Sequence, residues 1–323
     1  MKIIDAHMHI SLNGMDKTTL IQHMDAHNID KCWLLSWEEL DPEINYLYVH
    51  LPLEDILDAH QSCPGRFIPF YAPDPADPAF REKLTASIKK GVRGCGELKV
   101  SRRWEDPLIE TYLETIRKFE IPLVFHMENP RVHYIPDGSG FPDRVFERLL
   151  NDKFNGVSRY YLNRIIDFTG LFRKKVHANR FHFPGYLFDF EFLEKRIQQF
   201  SGISFIGHGP DFWNAISGLA NPKFIHQTGK IEKFGIIDRL LETYDNLYCD
   251  ISGFSGFNAL SRDREASVIF LEKHYHKVLF GTDNTGLDLR GLLGSFRIPS
   301  IKMDRVLHGN AEKLMASPSA SFK

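Results

Sequence analysis

Two histidines, His7 and His9, stand one residue apart in the stretch MKIIDAHMHI. In an extended chain, residues i and i+2 project to the same side, so two imidazoles face one point there. Neutral imidazole is a common ligand of divalent metals, and such a pair is half of a metal site. Taken alone, it is also what two surface histidines look like. Three further residues favour the metal reading by their placement. His126 directly follows the apolar run PLVF, His208 follows ISFIG, and Asp283 follows VLFG with only Thr282 between. Glu97 and Lys99 alternate within VRGCGELKV and so share a side as well. A buried charge must be paired or bound to a metal. Glu97 is therefore either a ligand of one metal ion or shared by two, or the ion-pair partner of Lys99. Lys99 itself is read as a substrate anchor.

These residues need elements to bring them together. The chain alternates short apolar runs with amphipathic stretches. Ile3–Ile4 opens the first strand. Lys31–Ser36, Phe67–Tyr71, Val92–Val100, Pro122–Phe125, Ile203–Gly207, Leu247–Ile251 and Lys277–Gly281 follow. Apolar spacings of three and four mark helices at Thr18–His27, Leu53–Gln61, Ala79–Lys90, Leu108–Phe119, Phe190–Phe200, Ile236–Tyr244 and Ala266–His274, with a closing helix at Asn310–Met315. Eight strand–helix units in series predict an α/β fold, a closed parallel (β/α)8 TIM barrel, as a single domain over residues 1–323. In such a barrel the site forms at the carboxyl ends of the strands, where all these ligand-type residues stand. The first and last strands are neighbours, which brings Asp283 beside His7 and His9.

One connection is too long for a crossover. Residues 127–201 hold a helical stretch near Asp143–Lys153 and the aromatic, basic run SRYYLNRIIDFTGLFRKK. The expectation is a lid or pocket wall over the site, the alternative a structural decoration. The terminal SPSASFK is expected to fray.

Composition narrows the partners. Of 323 residues, 43% are hydrophobic and 25% charged, and the formal net charge is -2. No basic excess points to nucleic acid or an anionic membrane, and no apolar stretch is long enough to span a bilayer. The four cysteines, Cys32, Cys63, Cys95 and Cys249, show no CxxC spacing; they are read as reduced thiols of a cytoplasmic protein. A homo-oligomer is left open. No nucleophile elbow, P-loop or dinucleotide fingerprint follows a strand. Among weaker candidates, Asn129, Arg131 and Trp37 are read as substrate contacts, Phe212 and Trp213 as an apolar wall, Asp250 as structural, and Arg262 as a solvated residue at a helix start.

The stretches IIDAHMHI, GVRGCGELKV, LVFHMENP, FIGHGPDFW, LYCDISG, VLFGTDN and HGNAEKL, spread over residues 3–314, resemble the amidohydrolase superfamily, in particular the amidohydrolase-related proteins that include aminocarboxymuconate semialdehyde decarboxylase. The resemblance implies that His7, His9, His126 and Asp283 hold one divalent metal and that His208 is a catalytic acid/base. Glu97 departs from that one-metal pattern. GELKV looks more like the strand-four glutamate of TatD-like nucleases, which binds two metals together with both later histidines. One or two ions are thus expected. Zinc is the default for a His-rich site, with manganese and iron as alternatives set by availability.

Two catalytic readings follow. In the first, a water acidified by a bound metal gives its proton to Asp283 and attacks a small ester, lactone or amide that carries a carboxylate. In the second, the same residues support non-oxidative decarboxylation or hydration, with a metal-free His208 moving the proton. A metal-stabilised binding protein without turnover is the third reading, and the filled donor positions speak against it.

Overall fold

The computed structural model describes residues 2–12, 14–38, 50–138, 140–150, 156–221 and 224–316. The expected fraying of SPSASFK lies outside the described residues, as does the end of the Asp143–Lys153 stretch. Among the described residues there are ten strands: β1 (Ile4–Met8), β2 (Lys31–Leu35), β3 (Phe67–Phe70), β4 (Cys95–Leu98), β5 (Leu123–His126), β6 (Arg131–Tyr134), β7 (Arg180–Phe183), β8 (Phe205–His208), β9 (Leu247–Asp250) and β10 (Val278–Leu279). Eight of them pair in parallel in the order β1-β2-β3 and β4-β5-β8-β9-β10.

Backbone hydrogen bonds join the two sheets at both seams. At one, Tyr71 N donates to Gly94 O at 3.1 Å and Arg93 N to Pro69 O at 2.9 Å. At the other, Ala6 N donates to Phe280 O at 2.8 Å. Among the described residues these bonds join both ends of the two sheets, so the eight parallel strands close into the barrel expected from eight serial units.

The interior follows from strand alternation. Ile4, Ala6, Trp33, Leu35, Phe70, Val124, Ile206, Tyr248 and Leu279 pack together inside the barrel, and Ala311 and Leu314 of the helix Asn310–Ala316 join them. A larger apolar layer separates the strands from the surrounding helices, with Leu34, Cys95, Leu98, Phe125, Phe205, Cys249 and Val278 on the strand side. Cys32, Cys95 and Cys249 are buried and Cys63 half-buried, all as free thiols.

Two strands break alternation just below the site. With Ile4 and Ala6 inward, strict parity would send Met8 inward and His7 outward. The β1–β2 register shifts between Asp5 and Met8; Met8 lies in the outer layer, and His7 and His9 turn to the axis. The β4–β5 register shifts likewise between Cys95 and Leu98. Leu98 packs outward, while a Cβ on Gly96 would meet Val124 and Leu35 of the inner layer. Such irregularities commonly re-aim side chains next to active sites.

The long connection after β5 has its own architecture. β6 and β7 form an antiparallel pair, and the helices Phe141–Leu150, Gly156–Thr169 and Arg173–Ala178 lie between them. Tyr134, Phe146, Leu150, Ile166 and Val176 make a separate small core. The hairpin was not expected: RVHY and RFHF are 45 residues apart in sequence, with no turn signal joining them. No described helix is long and apolar enough to cross a membrane.

Candidate metal centre

At the carboxyl ends of β1, β4, β5 and β8 and in the loop after β10, six side chains converge. His7 Nε2 lies 3.1 Å from His9 Nε2. Asp283 Oδ1 is 3.3 Å from His9 Nε2 and 3.9 Å from His7 Nε2. Glu97 stands in the middle. Its Oε2 is 3.6 Å from His9 Nε2 and 3.8 Å from His7 Nε2, and its Oε1 is 2.7 Å from His126 Nδ1 and 3.9 Å from His208 Nε2. His208 Nε2 returns to Asp283 Oδ2 at 3.8 Å. Three overlapping triads, His7–His208–Asp283, His7–His9–Glu97 and Glu97–His126–His208, each keep their donor atoms within 4.8 Å of one another.

The ring nitrogens facing away from this centre are also occupied. His9 Nδ1 lies 2.8 Å from Leu35 O. A carbonyl only accepts, so Nδ1 carries the proton and Nε2 presents its lone pair. Asp250 holds two rings at once, with Oδ2 3.0 Å from His7 Nδ1 and Oδ1 3.0 Å from His208 Nδ1. Ser252 donates to Asp250 Oδ1 from its backbone N at 3.0 Å and also from Oγ. Such partners fix the tautomer of a metal-binding histidine. Lone pairs thus meet at His7 and His9, with two carboxylates beside them. That donor set fits a divalent cation.

The electrostatics follow from this crowding. Burial would raise the Glu97 carboxyl, but Lys99 and His126 hold it well below the usual range. Burial also opposes ionisation of Asp250, yet His208 and His7 keep it depressed. Asp283 is lowered against its burial by His9 and His7. Asp283 is also the member most open to solvent, with 26% of its side chain exposed. Its backbone is left-handed at φ 52° and is held by Asp283 N donating to His7 O at 2.7 Å. Gly253 makes room for it: φ is +70°, and a Cβ there would lie 2.7 Å from Asp283 Oδ2.

The remaining expected residues divide. Lys99 is buried, its Nζ 4.5 Å from the centroid of Trp37 and 5.9 Å from that of Tyr186. Trp37 stands edge-on to His9 at 4.9 Å. Arg131 is buried away from solvent, bonded to Asp211, with Nε 3.4 Å from Glu128 Oε1. Asn129 donates its backbone N to the same Asp211 at 2.8 Å and lines a side cavity of about 260 Å³ with Asn214, Ser217 and Gln227. Phe212 and Trp213 are not an exposed wall. Phe212 packs in the outer layer, and Trp213 Nε1 donates to Asp250 O at 2.9 Å. Arg262 links two helices, as C-cap of Gly253–Ser261 and the residue before the Asp263 N-cap of Arg264–His274, and it is half-buried rather than fully solvated.

Three residues were not read as part of the site. Asp250 carries the same signal as its neighbours, a carboxylate at a strand end. Glu128 contacts His126 Nε2 at 3.3 Å, and the i, i+2 argument applied to Glu97 and Lys99 would have flagged it. Tyr186 has no local signal. It reaches the site because its backbone exchanges two hydrogen bonds with Glu128, at 2.7 and 2.9 Å, which ties the end of the long connection to the end of β5.

Comparison with known proteins bears on the fold. No protein-family model matches the sequence, and no curated protein is significantly similar to it. Solved structures do match over almost the whole chain. An uncharacterised TIM-barrel protein of Bordetella bronchiseptica shares 12% identity, covering 98% of this chain and 99% of that one, with a TM-score of 0.58. A protein described as a probable 2-pyrone-4,6-dicarboxylic acid hydrolase of Acinetobacter baumannii, with citric acid bound, shares 14% over 98% and 99% with a TM-score of 0.54. A 5-carboxyvanillate decarboxylase of Novosphingobium aromaticivorans, complexed with manganese and 4-hydroxy-3-methoxy-5-nitrobenzoic acid, shares 13% over 97% and 96% with a TM-score of 0.52. This likeness is one of fold. The chain is a TIM barrel of the architecture those proteins share.

Proposed function

We propose that the protein is a metal-dependent hydrolase of a small carboxylated ester, lactone or amide. The observation that carries this reading is the position of Glu97 between His7/His9 on one side and His126/His208 on the other, with Asp283 touching both groups. One carboxylate shared by two histidine pairs supports a centre for two divalent cations, with His7, His9 and Asp283 on one side and His126 and His208 on the other. A bound cation would supply Lewis acidity toward a carbonyl and a water ionised near neutral pH. Zinc is the first expectation for this donor set and manganese the second.

The chain's own residues supply the rest. Asp283 is ionised and solvent-facing, so it can take a proton from an attacking water at its free carboxylate edge. Asp250 keeps His7 and His208 with Nδ1–H turned away from the centre. Lys99 is aimed at a substrate carboxylate from between the faces of Trp37 and Tyr186, in a setting poor in water where one ion pair counts for more than at the surface. The hydrolase and the decarboxylase that share this fold are both described with polycarboxylated or aromatic acids, which accords with a cation placed beside aromatic rings.

The test is turnover by protein freed of metal and then reloaded with zinc or manganese. Carboxylated lactones and esters are expected to release acid. Hydroxylated aromatic carboxylates are offered in parallel, and release of carbon dioxide from them would move the assignment to a decarboxylase. Asp283→Asn is expected to reduce turnover by about a thousandfold or more while leaving the circular dichroism unchanged. Wild-type rates in that variant, or full activity without metal, would remove the proposal.

A further inference from the structure

Of the four histidines that meet at the centre, His126 is turned the other way. His7 and His208 have Nδ1 on Asp250, and His9 has it on Leu35 O, all three with Nε2 inward. His126 directs Nδ1 inward, 2.7 Å from Glu97 Oε1. Its Nε2 is therefore the nitrogen that needs an acceptor outside, and Glu128 Oε2 lies 3.3 Å from it. Residues 126 and 128 stand two apart, on backbone that is extended where Glu128 pairs with Tyr186, and so they share a side. Glu128 is buried. Among the described residues it belongs to none of the three donor triads. It touches the back of a candidate ligand and is not itself placed as one.

We propose that Glu128 is a positioning residue of the metal centre: it accepts the Nε2–H of His126 and so keeps the Nδ1 lone pair turned to the cation. This rests on the metal-dependent function proposed above and adds the residue that sets one ligand's tautomer. The acceptor is a carboxylate where His9 has a carbonyl. A charged acceptor makes a hydrogen bond about twice as strong as a neutral one, and it makes the ring a more basic ligand. Glu128 is held in its turn. Its Oε1 lies 3.4 Å from Arg131 Nε, and Arg131 is bonded to Asp211 on the short helix Pro210–Asn214. Asp211 also accepts from Asn129 N at 2.8 Å, and Asp211 N donates to Met127 O at 3.2 Å. The chain His126–Glu128–Arg131–Asp211 thus begins at one ligand-type histidine and ends three residues beyond the other, His208. Both neighbours of the Glu128 carboxylate are donor groups, and only a group with two accepting oxygens serves both.

Nitrogen-15 spectra of the imidazoles in zinc-loaded full-length protein test this without any substitution. His126 is expected protonated on Nε2, and His7, His9 and His208 on Nδ1. Glu128→Gln is the second arm. Its amide oxygen goes to the charged Arg131, and its NH2 group then faces His126 Nε2, so the His126 proton moves to Nδ1 and into the centre. Zinc affinity at the His126/His208 position is expected to fall about 10- to 100-fold, with the His7/His9 position and the circular dichroism unchanged. The four imidazoles report which position fills as zinc is added. A merely structural role for Glu128 would lower the urea midpoint and leave the His126 tautomer alone. His126 protonated on Nδ1 in the wild type, a His126 signal that zinc does not move, or a Glu128→Gln variant with wild-type affinity or with equal loss at both positions would each overturn the inference. Those results leave the metal-dependent function standing, whereas wild-type protein that takes up neither zinc nor manganese removes both.

Discussion

Replacing Asp250 with asparagine isolates the role of one carboxylate that serves two histidines. The amide has nearly the same shape but only one oxygen. Ser252 N can only donate, and it points at Oδ1 from 3.0 Å, so the amide oxygen takes that place and still accepts from His208 Nδ1. The NH2 group then faces His7 Nδ1, 3.0 Å away, and an amide NH2 cannot accept a proton. His7 must shift its proton to Nε2, which turns an N–H into the space between His9, Glu97 and Asp283. Loss of an outer partner of a ligating histidine costs about 10- to 100-fold in metal affinity, or roughly 1.4–2.7 kcal/mol. On the proposed two-ion centre, the loss would fall on the ion assigned to His7, His9 and Asp283, and the one assigned to His126 and His208 would stay. Equilibrium dialysis with elemental analysis reads the stoichiometry, and nitrogen-15 spectra of the imidazoles read the tautomers. If Asp250→Asn retains wild-type affinity at both positions with His7 still protonated on Nδ1, the assigned role of Asp250 is wrong.

Three further outcomes are expected. Gly253→Ala should cost about 1–3 kcal/mol, because an L side chain is strained at φ +70° and its Cβ meets Asp283 Oδ2. Urea denaturation of the metal-free protein would show the loss, and unchanged stability would refute the argument. Arg131→Met should destabilise by about 3–5 kcal/mol by stranding the buried carboxylates of Glu128 and Asp211. Unchanged stability with a raised KM would instead return Arg131 to substrate binding. Burial lifts the carboxyl of Asp5 from 3.8 to about 7, so the folded chain holds this proton where the unfolded chain has lost it. Folding stability from this group is full below the unfolded value and is lost as pH rises toward 7, on the order of 4 kcal/mol across the window. Metal-free Asp5→Asn should lack that slope in urea midpoints measured from pH 4 to 7.

The barrel was legible because its strands are short apolar runs, and β1, β4, β5, β8 and β10 carry a residue able to bind metal at or just beyond their carboxyl ends, where the six candidate donors assemble. Local patterning could not supply the register shifts in β1 and β4. There, alternation read strictly from Ile4 and Ala6 would have pointed His7 outward. The conclusion that His7 and His9 share a side needs only their spacing of two, and so it survives the shift. Arg131 shows the opposite limit. An arginine five residues after the strand-end His126 looks available to substrate until a carboxylate from the short helix Pro210–Asn214, Asp211, is found against it. Tyr186 lies 60 residues downstream of His126 in sequence and reaches the centre only through a backbone exchange that no period or motif announces.

That exchange between Glu128 and Tyr186 divides responsibility within the molecule. The candidate donors for metal are rooted in barrel strands and their immediate loops, while Tyr186 arrives on a connection with its own small core. On the proposed function, mutations that reshape the connection would retune which acid is accepted without touching the candidate donors. An experimenter who wishes to alter selectivity should randomise the approach to Tyr186 and leave the barrel untouched, since the two can drift at different rates.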